Sequence, residues 1–387
     1  MKKRIFLSLV GFITVFTPMQ VWASGDVAAA GIDGLRQVEQ YNFSIHILAM
    51  LLIGFGFLMV FVKKYGYSAT TGTFLVVSVG LPLYMLLRST GVISSEAIDA
   101  GSITSLLLAE FACASALIAM GAVLGRLRLY QYAILSLLIV PVYMINEWLV
   151  LDGGLGLTNG FTDSAGSIVI HAFGAYFGLG LSLALTAAAD RSKPIESDAT
   201  SDRFSILGSM VLWIFWPSFC SAIVPSDQMP KTVINTVLAL CGATVVTYLM
   251  SSLLRKGKTS IADMANAALA GGVSIGATCN IVSAPGAFGI GALAGALCVL
   301  GYVVIQPRLQ KILKNVDTCG VHNLHGMPGL LGGIIVIFVV PGIAKAQLVG
   351  IVFTVLFAFA AGSIGGLIIR ATGTKKTAYE DEEEFTA

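Results

Sequence analysis

Two stretches decide the fold: Asp163-Ser-Ala-Gly166-Ser-Ile-Val-Ile-His171-Ala-Phe-Gly-Ala-Tyr-Phe-Gly178 and Asp317-Thr-Cys-Gly320-Val-His322-Asn-Leu-His325-Gly-Met-Pro-Gly-Leu-Leu-Gly332. Asp, Gly, His and Gly recur in one register, Asp-x2-Gly-x4-His-x6-Gly. Each copy opens an apolar run long enough to be a membrane helix, and each Asp stands where a carboxylate caps free amides and complements the helix dipole. At a rise of ~1.5 Å per residue, each His lies ~12 Å along its helix from its Asp. If the two copies enter a bilayer from opposite faces, His171 and His325 arrive near the middle of the ~30 Å hydrocarbon layer. The repeat therefore predicts two inverted halves meeting at a pair of histidines.

The rest of the chain fits that scheme. Of its 387 residues, 56% are hydrophobic and 11% charged, against roughly 25% charged in a soluble domain. A chain this apolar needs lipid around it. About 20 apolar residues cross the bilayer, and eleven such runs follow one another at about 43–62, 69–87, 103–124, 129–151, 165–189, 204–224, 232–252, 260–278, 286–305, 321–340 and 346–370. Backbone amides in lipid must be satisfied within their own segment, so these are helices. The expected fold class is an all-α membrane protein of about eleven transmembrane helices: two inverted five-helix repeats plus a C-terminal helix. Five is odd, so a second copy of a five-span unit inserts upside down, and such repeats place a shared site near the midplane.

The ends and the linker complete the division. Lys2, Lys3 and Arg4, an apolar stretch, and Val21-Trp22-Ala23 before Ser24 have the layout of a bacterial signal peptide over 1–23. The first half then runs over 24–190, a cytoplasmic linker over 191–203, the second half over 204–345, the eleventh helix over 346–370 and a cytoplasmic, mobile acidic tail over 371–387. With the mature N-terminus outside, sixteen Lys and Arg fall on the inner side and only Arg36, Arg88, Lys231 and Lys345 outside. This positive-inside bias predicts a multi-pass protein of the bacterial inner membrane with a cytoplasmic C-terminus.

Composition also removes whole classes of function. A net charge of +2 with no basic, aromatic-studded stripe gives no basis for binding nucleic acid. The six cysteines and four histidines show no metal-ligand spacing, so neither a metal nor another cofactor is expected. No nucleophile stands beside a base, so an enzyme is not expected. Ionisable groups at membrane depth are costly and usually functional. A neutral imidazole both donates and accepts a hydrogen bond, so a pair of them suits a small polar molecule with the same capacity. His322 shares the helical face of His325. Asp163 adds negative charge at the outer mouth, Asp317 reads as a helix cap, and His46, which has no partner in sequence, reads as structural.

At these motifs the chain resembles the ammonium transporter family that unites Amt, Mep and Rhesus proteins, and its Rhesus branch most. The likeness rests on Asn146-Glu147, Asp163 to His171-Ala-Phe-Gly-Ala-Tyr-Phe-Gly-Leu, Trp216-Pro-Ser-Phe219, Asn266-Ala-Ala-Leu-Ala-Gly-Gly272 and Asp317 to His325-Gly-Met-Pro-Gly. It implies a homotrimer with one pore per subunit. His171 and His325 line each pore, with His322 beside them, beneath a stacked pair of phenylalanines matched by Phe111 and Phe219. Glu147 joins Asp163 as a vestibule acid. It also implies ammonia or ammonium as cargo, with methylammonium and CO2 as further candidates. Trp148 follows Asn146-Glu147 in a register unlike the Amt aromatic box, so no tight cation–π recruitment site is expected. The function expected is a channel-type transporter passing NH3 down its gradient. The alternatives are an electrogenic ammonium uniporter, a CO2 channel and a membrane sensor with a regulatory tail.

Overall fold

The computed structural model describes residues 27–94 and 96–386; the signal-peptide reading of 1–23 lies outside them. Residues 27–39 carry the first turns of a helix and form a unit of their own. Residues 40–386 form the helical body considered below.

Among the described residues, ten helices are long and apolar enough to cross a membrane: α1 (Gly34–Phe61), α2 (Gly66–Thr90), α3 (Ile103–Val123), α4 (Leu129–Val150), α5 (Ser167–Leu185), α6 (Ala199–Ser221), α7 (Met229–Leu254), α9 (Ala284–Leu313), α10 (His322–Val339) and α11 (Ala344–Ala371). The eighth apolar run is the exception. It forms a shorter helix, α8 (Ile261–Ile275), interrupted between Ala267 and Ala270 beside Gly271 and Gly272. In the segment after the break, Gly272 leaves room for the Trp216 ring, which lies where any side chain would stand. The chain is thus all-helical among the described residues, with eleven apolar helices of which one is broken.

α3 and α5 are the most enclosed of the spans, while α2, α7 and α11 are the least. The enclosed helices are rich in Ala, Gly and Ser, as in membrane bundles whose backbones approach closely. Gly178 and Gly332, the last matched positions of the repeat, make this explicit. A Cβ on Gly178 of α5 would lie 3.0 Å from the Ala119 backbone of α3. One on Gly332 of α10 would lie 2.2 Å from the Ser274 carbonyl of α8. Each repeat helix therefore packs, at the same register position, on the third helix of its own half.

The α5–α6 linker and the tail depart from expectation. α6 begins at Ala199, five residues before the apolar run, because the Asp198 carboxylate accepts from the amides of Thr200 and Ser201 while the Ser201 hydroxyl accepts from Asp198 N. A hydropathy reading passes over a polar first turn that is capped in this way. The acidic tail was expected to be mobile and is instead docked. The Asp381 carboxylate accepts from the Tyr67 and Ser68 amides at the start of α2, at 3.0 and 2.8 Å. Lys193 Nζ donates to the Ala378 carbonyl, and Tyr379 is buried against Gly125. The tail supplies α2 with the cap that Tyr65, at its own N-cap position, does not.

Candidate functional site

Both copies of the repeat build the same local structure. Gly166 (φ +78°) and Gly320 (φ +69°) take the left-handed conformation that glycine adopts without penalty. That turn lets the Asp three residues earlier fold back onto the amides ahead. Asp163 Oδ2 accepts from Ile168 N and Val169 N, both at 2.9 Å. Asp317 accepts from Val321 N at 3.0 Å and His322 N at 3.1 Å. In each copy the first helical turn is widened to π geometry, over Ser167–Ala172 and His322–Gly326, and the repeat histidine sits within it. Such wide turns are frequent at functional sites.

The copies also clasp opposite halves in the same way. Ala165 and Cys319 are each the second residue after their Asp. Ala165 N donates to the Gly276 carbonyl at the end of α8, and Cys319 N donates to the Gly121 carbonyl near the end of α3. These paired bonds carry a pseudo-twofold relation directly into the backbone.

The relation brings His171 and His325 together. Their Nδ1 atoms are 3.2 Å apart, and the rings are nearly parallel at 14° with centroids 5.3 Å apart. Both side chains are buried. One Nδ1 must carry the proton and the other must accept it, so the two rings are held in opposite tautomers. One then offers a free Nε2–H and the other a free Nε2 lone pair. His171 Nε2 is buried with no partner of its own.

Aromatic rings enclose this pair. Trp216 stacks on His171 at 5.6 Å and 24°, and Phe55 lies over His325 at 6.3 Å. Phe219 is 5.9 Å from His171 and meets Phe111 at 4.8 Å. The two phenylalanines, expected as a stacked pair, meet edge to face at 66°, an arrangement that ring quadrupoles favour. Phe111 also borders a cavity of about 200 Å³ lined by Tyr143, Glu147, Asp152, Asp163 and Arg88 among others. Beyond His325 a smaller void of about 20 Å³ is lined by Phe55, Leu117, Ile118, Leu324 and His325. Phe111 thus borders the acid-lined cavity and meets Phe219, Phe219 lies near His171, and His325 borders the apolar void.

The carboxylates are held rather than free. Glu147 accepts from Tyr84 Oη at 2.7 Å and Tyr143 Oη at 3.4 Å. Asp163 keeps one oxygen without a partner; burial pushes its carboxyl up to about 6, with the amide donors of Val169 and Ile168 pulling the other way. Burial also raises Asp317, offset by the amides of His322 and Val321 and by Arg126. The buried Arg126 guanidinium donates to the Thr186 hydroxyl and to the Ala122 and Val316 carbonyls, and burial lowers its pKa.

His322 stands apart from the pair, edge-on to Tyr176 at 5.7 Å. Trp148 packs against Gly154. His46, expected to be structural, lies 2.9 Å from Ser218 Oγ. The sequence reading missed the tyrosines around Glu147, the ring of Phe55, and a wholly buried Glu110 whose Oε1 accepts from Ser44 Oγ at 2.6 Å. An acidic residue inside the apolar run 103–124 was the available signal for the last of these.

Comparison with known proteins points in one direction. A family model described as the Ammonium Transporter Family matches residues 33–385. The mouse ammonium transporter Rh type B is 39% identical over 83% of this chain and 76% of its own length; the rabbit Rh type B is also 39% identical, over 92% and 82%. A solved Nitrosomonas europaea Rh50, presented as a member of the Rhesus family of channels, is 66% identical, superposes with a TM-score of 0.90, and is matched over 91% of this chain and 93% of its own. A solved sensor Amt protein shares the fold at 20% identity and a TM-score of 0.78. The repeated capped turn, the paired histidines and these relatives converge: the chain belongs to the ammonium transporter family.

Proposed function

We infer that this protein is a channel-type transporter of ammonia and ammonium that passes neutral NH3 down its gradient. The contact between His171 Nδ1 and His325 Nδ1 at 3.2 Å carries the reading, together with its position between the crossed phenylalanines and an apolar void. An ammonium ion is drawn to the cavity lined by Glu147 and Asp163. It gives up its proton at or below Phe111 and Phe219, the proton returns to water on the outer side, and ammonia continues alone. Ammonia donates and accepts hydrogen bonds, so it is matched in turn by a free imidazole N–H and a free imidazole lone pair. A bare cation finds no such match, because removing it from water into this apolar, low-dielectric passage is costly. His171 and His325 thus escort the cargo, His322 supports the inner stretch, Phe111 and Phe219 keep water out, and Asp317 fixes the second repeat turn.

The inward bias of basic residues supports an inner-membrane protein with its C-terminus in the cytoplasm. The family resemblance supports a homotrimer with one path per protomer, and methylammonium as a slower cargo. Proteoliposomes exposed to an inward ammonia gradient should alkalinise faster than protein-free liposomes. Equal rates would end this reading.

A further inference from the structure

The Phe111–Phe219 contact is flanked by two polar links that the transport reading does not use, and both come from α1. Ser44 Oγ donates to Glu110 Oε1 at 2.6 Å, and Glu110 directly precedes Phe111. His46 Nδ1 lies 2.9 Å from the hydroxyl of Ser218, which directly precedes Phe219. Residues two apart on a helix point roughly 200° apart, so Ser44 faces α3 while His46 faces α6. The His46 ring is also stacked on Phe215, one turn before Phe219, at 4.7 Å and 20°. α1 is thus wedged between the two helices that carry the crossed phenylalanines and is bonded to each at the residue adjoining the ring.

Apolar side chains would fill the same space without desolvating a carboxyl group, yet Glu110 is fully buried and its second oxygen has no partner. A buried carboxyl group with so few donors holds its remaining one strongly, because losing it leaves a polar group unsatisfied. Hydrogen bonds also fix direction and register, which apolar packing leaves loose. We propose that α1 sets the gap between Phe111 and Phe219 through Ser44–Glu110 and His46–Ser218, and so determines which molecules the passage admits by size. The four are positioning residues: none lies among the side chains around the histidine pair, and each acts through a phenylalanine. Loosening either link widens the contact, so that a bulkier amine gains relative to ammonia.

This inference rests on the transport reading above, and the test separates the two. Proteoliposomes of the full chain are compared for ammonia-driven and methylamine-driven alkalinisation, as wild type, Ser44→Ala, Ser44→Thr, Ser218→Ala and Phe219→Ala, and with Ser218→Ala placed on Phe219→Ala. The methylamine-to-ammonia rate ratio should rise at least threefold in Ser44→Ala and Ser218→Ala, and return toward wild type in Ser44→Thr. Phe219→Ala should raise the ratio by itself, with Ser218→Ala adding nothing further. If Ser44→Ala fails to fold, the Ser218→Ala arms decide. An unchanged ratio in Ser218→Ala with ammonia flux intact, or effects that multiply on the Phe219→Ala background, would overturn the inference while leaving the transport reading standing. A wild type no faster than empty liposomes would overturn both.

Discussion

At the scale of single residues, the opposed tautomers of His171 and His325 are the chemical core of the account. His325→Ala removes one of the two groups that greet ammonia and leaves His171 Nδ1 without its neighbour at 3.2 Å. A lost hydrogen bond of roughly 1.4 kcal/mol corresponds to about tenfold, so the ammonia-driven alkalinisation rate should fall by about that factor; an unchanged rate would remove the pair from the mechanism. Asp163 gives a pH prediction. Burial holds its carboxyl at about 6 in the folded protein, against about 3.9 for an exposed Asp. The folded state binds that proton more tightly than the unfolded one. The stabilisation is therefore complete below about pH 4 and is lost as pH rises through about 6, roughly 3 kcal/mol in all. Melting in detergent should come earlier at pH 7.5 than at pH 5, and Asp163→Asn should flatten that difference. Much at this scale was legible in sequence, because Asp, Gly and His recur in register. Ser44, Tyr84 and Tyr143 were not, because their partners Glu110 and Glu147 lie more than sixty residues away for the first two, and Tyr143, though only four residues from Glu147, sits in an apolar run that gives an aromatic residue no distinct signal.

At the scale of elements, close backbone contact decides what can change. Gly332→Val would drive a side chain into the Ser274 carbonyl, 2.2 Å from the added Cβ. Overpacking of this kind typically costs about 1–3 kcal/mol, so the variant should unfold several degrees earlier in a detergent thermal scan. Gly289→Ala, where nothing lies within 4 Å of the added Cβ, should not. The docked tail is tested at the same scale. Asp381→Ala deprives α2 of two amide partners, a loss worth about 1 kcal/mol for a cap. Limited proteolysis should then cut the tail faster than in the wild type, and equal cutting would show the contact to be inconsequential. Composition alone made this tail look solvated, since a run of like charges is normally a soluble end. Its acids instead meet helix N-termini supplied by distant loops, and no local pattern in the sequence announces such pairing. The break in α8 escaped for a related reason: hydropathy measures apolarity, and Ala267 to Ala270 is as apolar as the segments on either side.

At the scale of the whole molecule, the order of environments along one line makes the separate features act together. In the proposed transport, the acid-lined cavity would collect cations, the crossed aromatic rings would exclude water, and the paired imidazoles would match a neutral hydrogen-bonding molecule beside the apolar void. Helix number and the location of the repeat were legible because spanning a bilayer demands long apolar segments. The meeting of the two histidines followed from helix rise, bilayer thickness and the opposite entry of the two repeat copies. The central claim is that ammonia crosses this line without its proton. It is tested most directly by recording current and internal pH together across one protein-containing membrane after an ammonium jump. Rapid alkalinisation is expected, with no sustained current beyond that of a protein-free membrane. A sustained inward current that grows and saturates with ammonium concentration would contradict the claim.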